Sequence, residues 1–367
     1  MMSRIGVLLK QAFHALAGLK IAVVGLVLGF VLVLVGTLDQ VNLGIYYTVK
    51  VYFKSWWVYW HGWPVFPGGM SVGLLLGVNL VLAHIKRFQW SMKKMGIWLI
   101  HSSLLVLLIG GAISGFVSQE SQMIIREGDT QWYSESVHDT ELVVMQAQGE
   151  TTRVFQIDMA NVQANDSIVM GPLVITVESR LNNAILRLID DANRWQSAQG
   201  AGRYFSVEPR PVDRRPDARN HMALWVRIHT QDGTDLGRFL VSSWLNHPQW
   251  VGDRATIALR PTRYYYPYAV TLMEFTHRQH PGTTIPSYFS SDVIVTDGSF
   301  RQPFHIYMNH PLRYQGVTYF QASFDDADTV SILQLVKNPV WWSPYFACLV
   351  LGVGLVWHMV LMMGRLR

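Results

Sequence analysis

Four long runs of apolar residues interrupt the sequence, and each is long enough to cross a lipid bilayer. They cover about residues 19–38, 68–85, 97–116 and 342–363. An α-helix rises about 1.5 Å per residue and the hydrocarbon core of a bilayer is about 30 Å thick, so one crossing takes roughly 20 residues. The pattern therefore predicts a membrane protein with four transmembrane α-helices, three near the amino end and one near the carboxyl end.

Between the third and fourth runs the pattern changes to short stretches in which apolar and polar residues alternate. Such alternation is typical of β-strands that bury one face, and Asp232-Gly233 and Asp297-Gly298 offer turns between such stretches. We expect a large, mostly antiparallel β domain, built as a sandwich or a barrel, with a long surface loop over residues 197–219. The predicted strands cover residues 121–127, 141–145, 173–177, 224–229, 238–242, 256–259, 268–275, 292–295, 317–321 and 331–336.

Basic residues flank the apolar runs and orient the predicted helices. Residues 4–20, the link 86–94 and the tail 365–367 all carry basic residues, Lys or Arg, and short basic loops remain in the cytoplasm. Both termini are then cytoplasmic, whereas residues 39–67 and 118–341 lie outside. The first run is expected to be an uncleaved anchor, because no A-x-A cleavage site follows it. The prediction is a multi-pass protein of the bacterial inner membrane with a periplasmic β domain.

These patterns divide the chain into three regions. Residues 1–117 hold the first three helices, residues 118–341 form the extracytoplasmic β domain, and residues 342–367 form the last helix and its basic tail. Tryptophan clusters at the outer ends of the second and fourth runs, where an apolar ring with a polar N–H suits the headgroup layer. These residues are Trp56, Trp57, Trp60, Trp63, Trp341 and Trp342.

Composition supports the membrane class and argues against several others. Half of the residues are hydrophobic and 15% are charged, unlike an evenly patterned soluble protein. The single cysteine, Cys348, can form no internal disulfide and offers no dithiol chemistry. The net charge of +5 comes largely from clusters beside apolar runs, so we expect no nucleic-acid partner. Because a nucleic acid is not expected outside the membrane, the basic and aromatic segment 260–268 is expected to make packing and cation–π contacts within the β domain, with a protein partner as the alternative.

Three histidines lie near the cytoplasmic ends of the predicted helices: His84, His101 and His358. His101 follows Lys94 by seven residues, and His358 precedes Arg365 by seven. Both are therefore expected about 10 Å inward from their basic anchors, while His84 lies closer to the surface. Two imidazoles at equal depth in a bundle can supply both axial positions of a b-type haem. The first predicted ligand pair is His101 with His358, and the second is His84 with His101.

A structural role for these histidines is the alternative. A neutral imidazole can form a hydrogen bond with a group on a neighbouring helix, and Ser102, Ser103 and Asn79 could serve. The small residues that follow His101, from Gly110 to Gly115, permit close helix approach and would be explained by packing alone. The sequence leaves both interpretations open.

Further histidines lie in the predicted β domain. His277 and His280 are three residues apart, and His305 and His310 flank Met308, so a metal or haem contact is conceivable. Their spacing does not match a regular metal motif. We interpret them as ordinary surface or core histidines.

Several distinctive runs extend over nearly the whole chain, and the run Met308–Gly316 is the most specific of them. They are Leu19-Lys20, Asn79–His84 with Lys86-Arg87, Gly96–His101, Ser121–Gly128, Tyr266–Tyr268, Pro281–Thr283, Met308–Gly316 and Tyr319–Phe324. In these runs the chain resembles the ResB family, also called CcsB, of system II cytochrome c biogenesis proteins.

The resemblance implies a haem-handling role. Family members work with a membrane partner of the ResC or CcsA type, move haem b outward and present it to apocytochrome c for attachment. The family's transmembrane haem ligand corresponds to His101, and its pattern pairs this residue with a histidine of the partner rather than with His358. The W-W-D signature of that partner is absent from this sequence, so we expect a non-catalytic or accessory subunit of a haem lyase complex.

Three functions therefore stand as hypotheses. The first is a ResB-like subunit that binds haem b through His101. The second is a membrane b-haem electron-transfer subunit of a respiratory complex, in which His101 and His358, or His84, hold a permanent haem. The third is a haem-free assembly scaffold whose intramembrane histidines are only hydrogen-bonded.

Overall fold

The chain forms two units, each described here on its own. A computed structural model describes residues 4–87, 91–189, 198–214, 220–245, 247–253, 255–283, 285–325 and 329–366. The helical unit comprises Met1–Ser118, Arg214–Pro216 and Asn338–Arg367, and the β unit comprises Gln119–Asp213 and Asp217–Lys337.

The helical unit contains five α-helices in the described residues. They are α1 (Arg4–Leu16), α2 (Leu19–Thr48), α3 (Gly69–Arg87), α4 (Met95–Val117) and α5 (Ser343–Leu366). By length and composition, α2 to α5 can each cross a membrane. The four predicted crossings, three before the β unit and one after it, are thereby confirmed.

Helix α1 is an element that the hydropathy pattern does not predict, and a side chain of α3 holds its carboxyl end. The amide of Asn79, which is buried, donates to the carbonyl oxygens of Leu16 at 2.5 Å and Gly18 at 3.0 Å. The last carbonyls of a helix have no partner within the helix. Asn79 therefore satisfies the end of α1 and fixes the junction between α1 and α2.

Helix α2 continues ten residues beyond its predicted end at residue 38 and leads into a π-helical turn over Val49–Phe53. The sequence pattern suggested a stop there because Asp39 ends the apolar run. In the structure the hydroxyl of Tyr52 donates to Asp39 at 3.0 Å, and the amide of Asn42 approaches the same carboxylate at 3.4 Å. These partners allow the helix to continue past a charged residue.

A short hairpin follows this turn. Strands β1 (Trp57–Trp60) and β2 (Trp63–Pro67) pair antiparallel, and His61 and Gly62 at the tip have positive φ angles of 47° and 83°. The tryptophans Trp56, Trp57, Trp60 and Trp63 are exposed. Their exposure suits the interfacial position predicted for them.

The β unit contains strands β3 to β19. They are β3 (Gln119–Arg126), β4 (Thr130–Gln148), β5 (Thr151–Asp158), β6 (Ser167–Met170), β7 (Leu173–Leu181), β8 (Ala184–Leu188), β9 (Ala198–Gln199), β10 (Phe205–Pro209), β11 (Ala223–Thr230), β12 (Asp235–Ser242), β13 (Gln249–Val251), β14 (Ala255–Gln279), β15 (Pro286–Asp297), β16 (Phe300–Tyr307), β17 (Leu312–Tyr314), β18 (Val317–Phe324) and β19 (Val330–Lys337).

These strands form one large and two smaller sheets, and β9 with β12 is the only parallel pair among the described strands. The large sheet has the order β16-β15-β14-β4-β3-β19-β18-β17, with β13 added to β14 and β5 added to β4. A second sheet has the order β6-β7-β11-β12-β9, and β8 pairs with β10. The predicted, mostly antiparallel β domain is confirmed.

Two separate cores divide the β unit into two lobes. In the sandwich lobe, one half of β4 and β14 packs with β5 against the second sheet, through buried side chains such as Leu142, Leu259, Ile175 and Val226. In the curled lobe, the remainder of the large sheet encloses its own core. Side chains from both ends of its strand order, on β16 and β18, contribute to that core. The sheet therefore curls around the core, and β4 and β14 run through both lobes.

The strand predictions agree with the structure more closely than the loop prediction does. Each predicted strand overlaps an observed one, but residues 256–259 and 268–275 belong to the single long strand β14. The turns at Asp232-Gly233 and Asp297-Gly298 are confirmed. The predicted loop over 197–219 is wrong for Ala198–Gln199, which pair with β12. It is also wrong for Phe205–Pro209, which pair with β8 because their alternating side chains cover a third, small core. Residues 197 and 215–219 lie outside the described residues.

A buried ion pair joins β4 to β14 near the point where the lobes meet. The Arg260 guanidinium donates to Glu141 at 2.8 Å, and the Glu141 side chain is only 2% exposed. Arg263 pairs with Glu135 at 2.9 Å, and its guanidinium lies 4.2 Å from the centroid of the Tyr133 ring. The expectation of packing and cation–π contacts over residues 260–268 is confirmed.

Loss of one partner of the buried pair should be strongly destabilising. Arg260→Met should lower the free energy of unfolding by about 3 kcal/mol, because the Glu141 carboxylate then stays buried without its cation. The double variant Arg260→Met with Glu141→Leu should recover most of this loss. Chemical unfolding of the full chain in detergent, followed by tryptophan fluorescence, measures both.

The exposed pair Arg227–Asp235, at 2.7 Å, is the matched control. Arg227→Met should change little, because solvent screens an exposed pair. A double variant at Arg260 and Glu141 that is no more stable than the single variant would contradict the burial argument.

A hydrogen-bonded tyrosine pair lies in the core of the curled lobe. The hydroxyls of Tyr268 and Tyr319 are 2.7 Å apart, and both side chains are buried. Burial raises the pKa of Tyr268 from 10 to about 12, and burial also raises the pKa of Tyr319. The folded state therefore retains two phenol protons that the unfolded chain loses near pH 10.

The protein should lose stability at alkaline pH because of this pair. A raised pKa in the folded state contributes stability that is complete below pH 10 and declines as the pH rises through about 12. Unfolding midpoints measured across this range should fall, and the fall should be smaller when both residues are changed to Phe. Tyr59→Phe, at an exposed position, should leave the pH dependence unchanged. An equally steep fall in the double variant would assign the effect to other groups.

Candidate functional site

Two of the three predicted ligand histidines lie in contact. His84 is in the last turn of α3 and His101 is in the first half of α4, and their ring centroids are 5.3 Å apart with the planes at 72°. Both residues are half-buried. The ends of α3 and α4 are close because only a short basic link, which includes the 3₁₀ turn Met92–Lys94, connects the two helices.

The hydrogen bond of His84 assigns its tautomer. Its Nδ1 is 2.9 Å from the carbonyl oxygen of Leu80. A carbonyl can only accept, so Nδ1 carries the proton and Nε2 of the neutral ring keeps its lone pair. This is the form of imidazole that binds a metal. The Trp98 ring lies 4.6 Å from the His84 ring, on the face of α4 that also carries His101.

Helices α4 and α5 pack antiparallel with their backbones in contact at glycines. A Cβ on Gly96 would lie 2.8 Å from both the carbonyl oxygen of Gly354 and the backbone nitrogen of His358. At the other end of the same contact, a Cβ on Gly110 would overlap the Ser343 side chain. Only glycine permits this approach, and the resulting register places His358 level with Gly96.

This register contradicts the predicted equal depth of His101 and His358. His101 lies five residues beyond Gly96 along α4, which corresponds to about 7.5 Å of helix rise. The prediction is wrong because Lys94 and Arg365 are not level with each other. Helix α5 continues past His358, beyond the level at which α4 begins. The structure therefore brings His84 and His101 together and sets His358 more than one turn away.

Two of the alternative hydrogen-bond partners for the histidines are engaged elsewhere. The Ser103 hydroxyl, which is fully buried, donates to the carbonyl oxygen of Ile100 at 2.6 Å. Asn79 binds the carbonyls at the end of α1. The partner that the structure gives His84 is instead the backbone carbonyl of Leu80.

The donor set fits an iron porphyrin better than a bare metal ion. Within the described residues, no group of three or more His, Cys, Asp or Glu side chains is placed to hold a metal ion. A bare zinc or calcium site needs at least that many protein ligands. A porphyrin supplies four nitrogens itself and needs one or two axial ligands from the protein, and His84 or His101 could supply one of them.

An apolar cavity of about 830 Å³ lies between α3, α4 and the π-helical turn that follows α2, and it begins close to the histidine pair. Its lining includes Leu82, two residues before His84, and Leu105, one turn after His101. Its volume lies in the usual range for ligand pockets. Glycines such as Gly73 and Gly111 open the cavity by leaving the helix surfaces bare. Neither the cavity nor Trp98 was singled out by the sequence, although the glycine spacing on α3 was a signal.

The histidines of the β unit are dispersed. His277 packs with its ring centroid 4.3 Å from that of Phe324, His280 lies beyond the end of β14, and His310 stacks on Tyr307. His305 is different, because its ring is hydrogen-bonded to a carboxylate. The sequence could not reveal this contact, since it depends on the register between β15 and β16.

Comparison with known proteins matches this sequence to a family. A model of the ResB-like family matches residues 74–165 and 252–336. The first match contains His84, His101, Trp98 and β3, and the second contains all of β14 to β18 and most of β19. His358 lies outside both matches.

A curated relative supports the same assignment over a longer stretch. Protein NrfI of Wolinella succinogenes is 24% identical over 308 residues, which cover 80% of this chain and 30% of that protein. This chain thus spans about a third of the length of that relative. Among solved structures, MucB in complex with MucA(peri) overlaps 57% of this chain and 91% of that chain, at 12% identity and a TM-score of 0.12. So low a score says nothing about the fold.

The glycine contact between α4 and α5 should tolerate no side chain. Gly96→Val should lower the stability of the helical unit by about 1 to 3 kcal/mol, because the added atoms push α5 away. Gly111→Val is the matched control on the same helix, since a Cβ there would meet nothing within 4 Å. Thermal unfolding in detergent compares the two, and equal melting temperatures would contradict the contact.

Proposed function

This chain belongs to the ResB-like family, which works in cytochrome c biogenesis, and from this we propose that it binds haem b in the membrane and helps to deliver it to apocytochrome c. The proposed axial ligand is His101. The subunit holds and presents the haem, and the thioether bonds are formed by the complex that it joins.

One observation carries this proposal: two imidazoles lie in contact, and an apolar cavity of ligand size begins within about one helical turn of each of them along α3 and α4. Ionisable side chains within a membrane segment are costly and tend to mark function. The cavity supplies apolar walls for a macrocycle, and Trp98 adds a flat aromatic surface beside the imidazoles. Such surroundings exclude water from an iron ligand.

The contact between His84 and His101 also limits how they can act. Rings that touch each other leave no space for a macrocycle between them, so in this arrangement they do not serve as the two axial ligands of one iron. We therefore assign one axial position to His101 and the other to a histidine of a ResC- or CcsA-type partner. His84 and Trp98 then position the His101 ring. His358 is the weaker candidate, because it lies more than a turn away along α4.

The β unit has a separate role in this proposal. With both termini in the cytoplasm, it lies in the periplasm, where the partner and the client apocytochrome are accessible. Bound haem supplies the iron and the vinyl groups that become thioethers. The residues of this chain bind the haem, orient it and shield it from water.

The histidine ligand can be tested in the complex purified with its partner. His101→Ala should lose the reduced-minus-oxidised haem absorbance, and added imidazole should restore part of it by occupying the vacant axial position. His84→Ala should weaken the signal without abolishing it, whereas His358→Ala should retain it. Optical spectra of the solubilised complex and the content of mature c-type cytochrome in the cells are the two measurements.

A surface change, His247→Ala, is the matched control and should alter neither measurement. If His101→Ala kept both haem absorbance and cytochrome maturation, the ligand assignment would be wrong and the scaffold function would stand. A haem of fixed stoichiometry, together with normal c-type cytochromes after deletion of the protein, would instead indicate an electron-transfer subunit.

A further inference from the structure

The chain reverses direction within the segment that α2 begins. Gly44 interrupts the helix with φ 67° and ψ 164°, a backbone conformation that favours glycine. Seventeen residues of continuous helix would span about 25 Å, yet a Cβ on Gly36 would lie 3.3 Å from the ring of Phe53. Residues 45–54 therefore fold back along the first part of α2, and we call them the return segment.

The return segment brings a lysine to the end of the cavity that lies opposite the histidines. A Cβ on Gly115, near the end of α4, would lie 3.8 Å from Cε of Lys54. A Cβ on Gly69, at the start of α3, would overlap the backbone of Phe53. Lys54 is exposed, and it is the only charged residue among the described residues that line the cavity. The cavity therefore has an apolar body and a single cation at this end.

The helical unit offers this cation no carboxylate. Asp39 is the only acidic residue in the sequence of the unit, and the Tyr52 hydroxyl donates to it. In the part of the chain that the structure describes, neither Lys54 nor Lys50, one turn earlier, takes part in an ion pair. Both lysines lie at the predicted periplasmic end, where the positive-inside rule does not explain them. Their charge therefore complements an anion from outside the helical unit.

The cavity extends over about the depth of one leaflet. Its lining runs along α4 from Leu105 to Phe116, which corresponds to about 16 Å of helix rise, and one leaflet takes half of the roughly 30 Å hydrocarbon core. Bare backbone leaves room along this path, since a Cβ on Gly111 would meet nothing within 4 Å. Trp56 lines the cavity beside Lys54, and tryptophan prefers the headgroup layer. The form of the cavity suits an extended acyl chain below a headgroup.

We propose that this cavity is a site for an anionic glycerophospholipid of the outer leaflet, with its phosphate at Lys54 and one acyl chain between α3 and α4. The acyl chain is surrounded by hydrocarbon in the cavity and in the bilayer alike, so the charge of the headgroup decides which lipid binds.

The lipid site goes beyond the proposed function and does not rest on it. Gly115, beside Lys54, follows His101 by fourteen residues, which corresponds to about 21 Å of helix rise. The headgroup and the proposed iron ligand therefore lie at opposite ends of the cavity. Both ligands use the body of the cavity, so the acyl chain occupies it in the haem-free protein.

The test uses the full chain, free of haem, in nanodiscs of phosphatidylcholine that contain a small fraction of a photoactivatable lipid. The probe is phosphatidylglycerol with a diazirine in one acyl chain, and mass spectrometry of the digested chain maps its adducts. Adducts should concentrate in residues 69–82 and 105–116, which line the cavity. A phosphatidylethanolamine probe with the same acyl chain, which carries no net charge, should give about fivefold fewer adducts there.

Two variants separate this site from ordinary contact with the bilayer. Lys54→Gln should lower the adduct yield of the phosphatidylglycerol probe about fivefold, because the cation is lost, and Lys54→Arg should retain it. Gly111→Leu should also lower the yield, since the new side chain fills the cavity. Lys93→Gln, at an exposed lysine near the histidine end, is the matched control for charge. Gly352→Leu, on α5 where a Cβ would meet nothing within 4 Å, is the matched control for volume. Both controls should leave the yield unchanged.

The outcomes separate the lipid site from the haem site. Equal yields for the two headgroups, or an unchanged yield in Lys54→Gln, would show boundary lipid only and overturn the proposal. Loss of haem binding in Lys54→Gln would assign the cation to the haem carboxylates and would also overturn it. A charge-dependent yield that persists in His101→Ala supports the lipid site even if the haem ligand assignment fails. Haem absorbance that is lost in His101→Ala, without any headgroup preference, would leave the proposed function intact and overturn the lipid site.

Discussion

A polar group inside hydrocarbon must find its partner within the protein, and this constraint explains most of the helical unit. Asn79 binds the carbonyls that close α1, Ser103 bonds within its own helix, and Tyr52 satisfies Asp39 so that α2 can continue. His84 is held by the Leu80 carbonyl through one nitrogen. What distinguishes it from the other buried polar groups is its second nitrogen, which carries a lone pair beside His101 and an apolar cavity.

In the β unit the constraint is different, because one large sheet contributes side chains to both main cores. Strands β4 and β14 run through both lobes, and the sheet changes the face that it buries along their length. The ion pairs between Arg260 and Glu141 and between Arg263 and Glu135 lie along this shared pair of strands. Both ion pairs join cross-strand partners, so they add charge complementarity to the register that the buried apolar pattern sets.

The sequence predicts the parts of this structure that depend on local pattern. Apolar runs predict α2 to α5. Alternation predicts strands in both lobes, because a strand that buries one face carries apolar residues at every second position. It does not predict α1, whose position depends on Asn79 more than sixty residues away, or the union of two predicted strands in β14. The candidate histidines were also identified from sequence, but the level of His358 depends on glycines that set the α4–α5 register. The pairing of Asp292 with His305 likewise needs the fold.

The last helix lies against a partner that is synthesised long before it. About 225 residues separate the end of α4 from the start of α5, and at bacterial elongation rates of about 5 to 20 residues per second their synthesis takes roughly 10 to 45 seconds. During this interval the glycine-lined face of α4 has no helix of the nascent chain to pack against. Lipid or the insertion machinery must cover it meanwhile, so the α4–α5 contact forms late and only in chains that have been translated through α5.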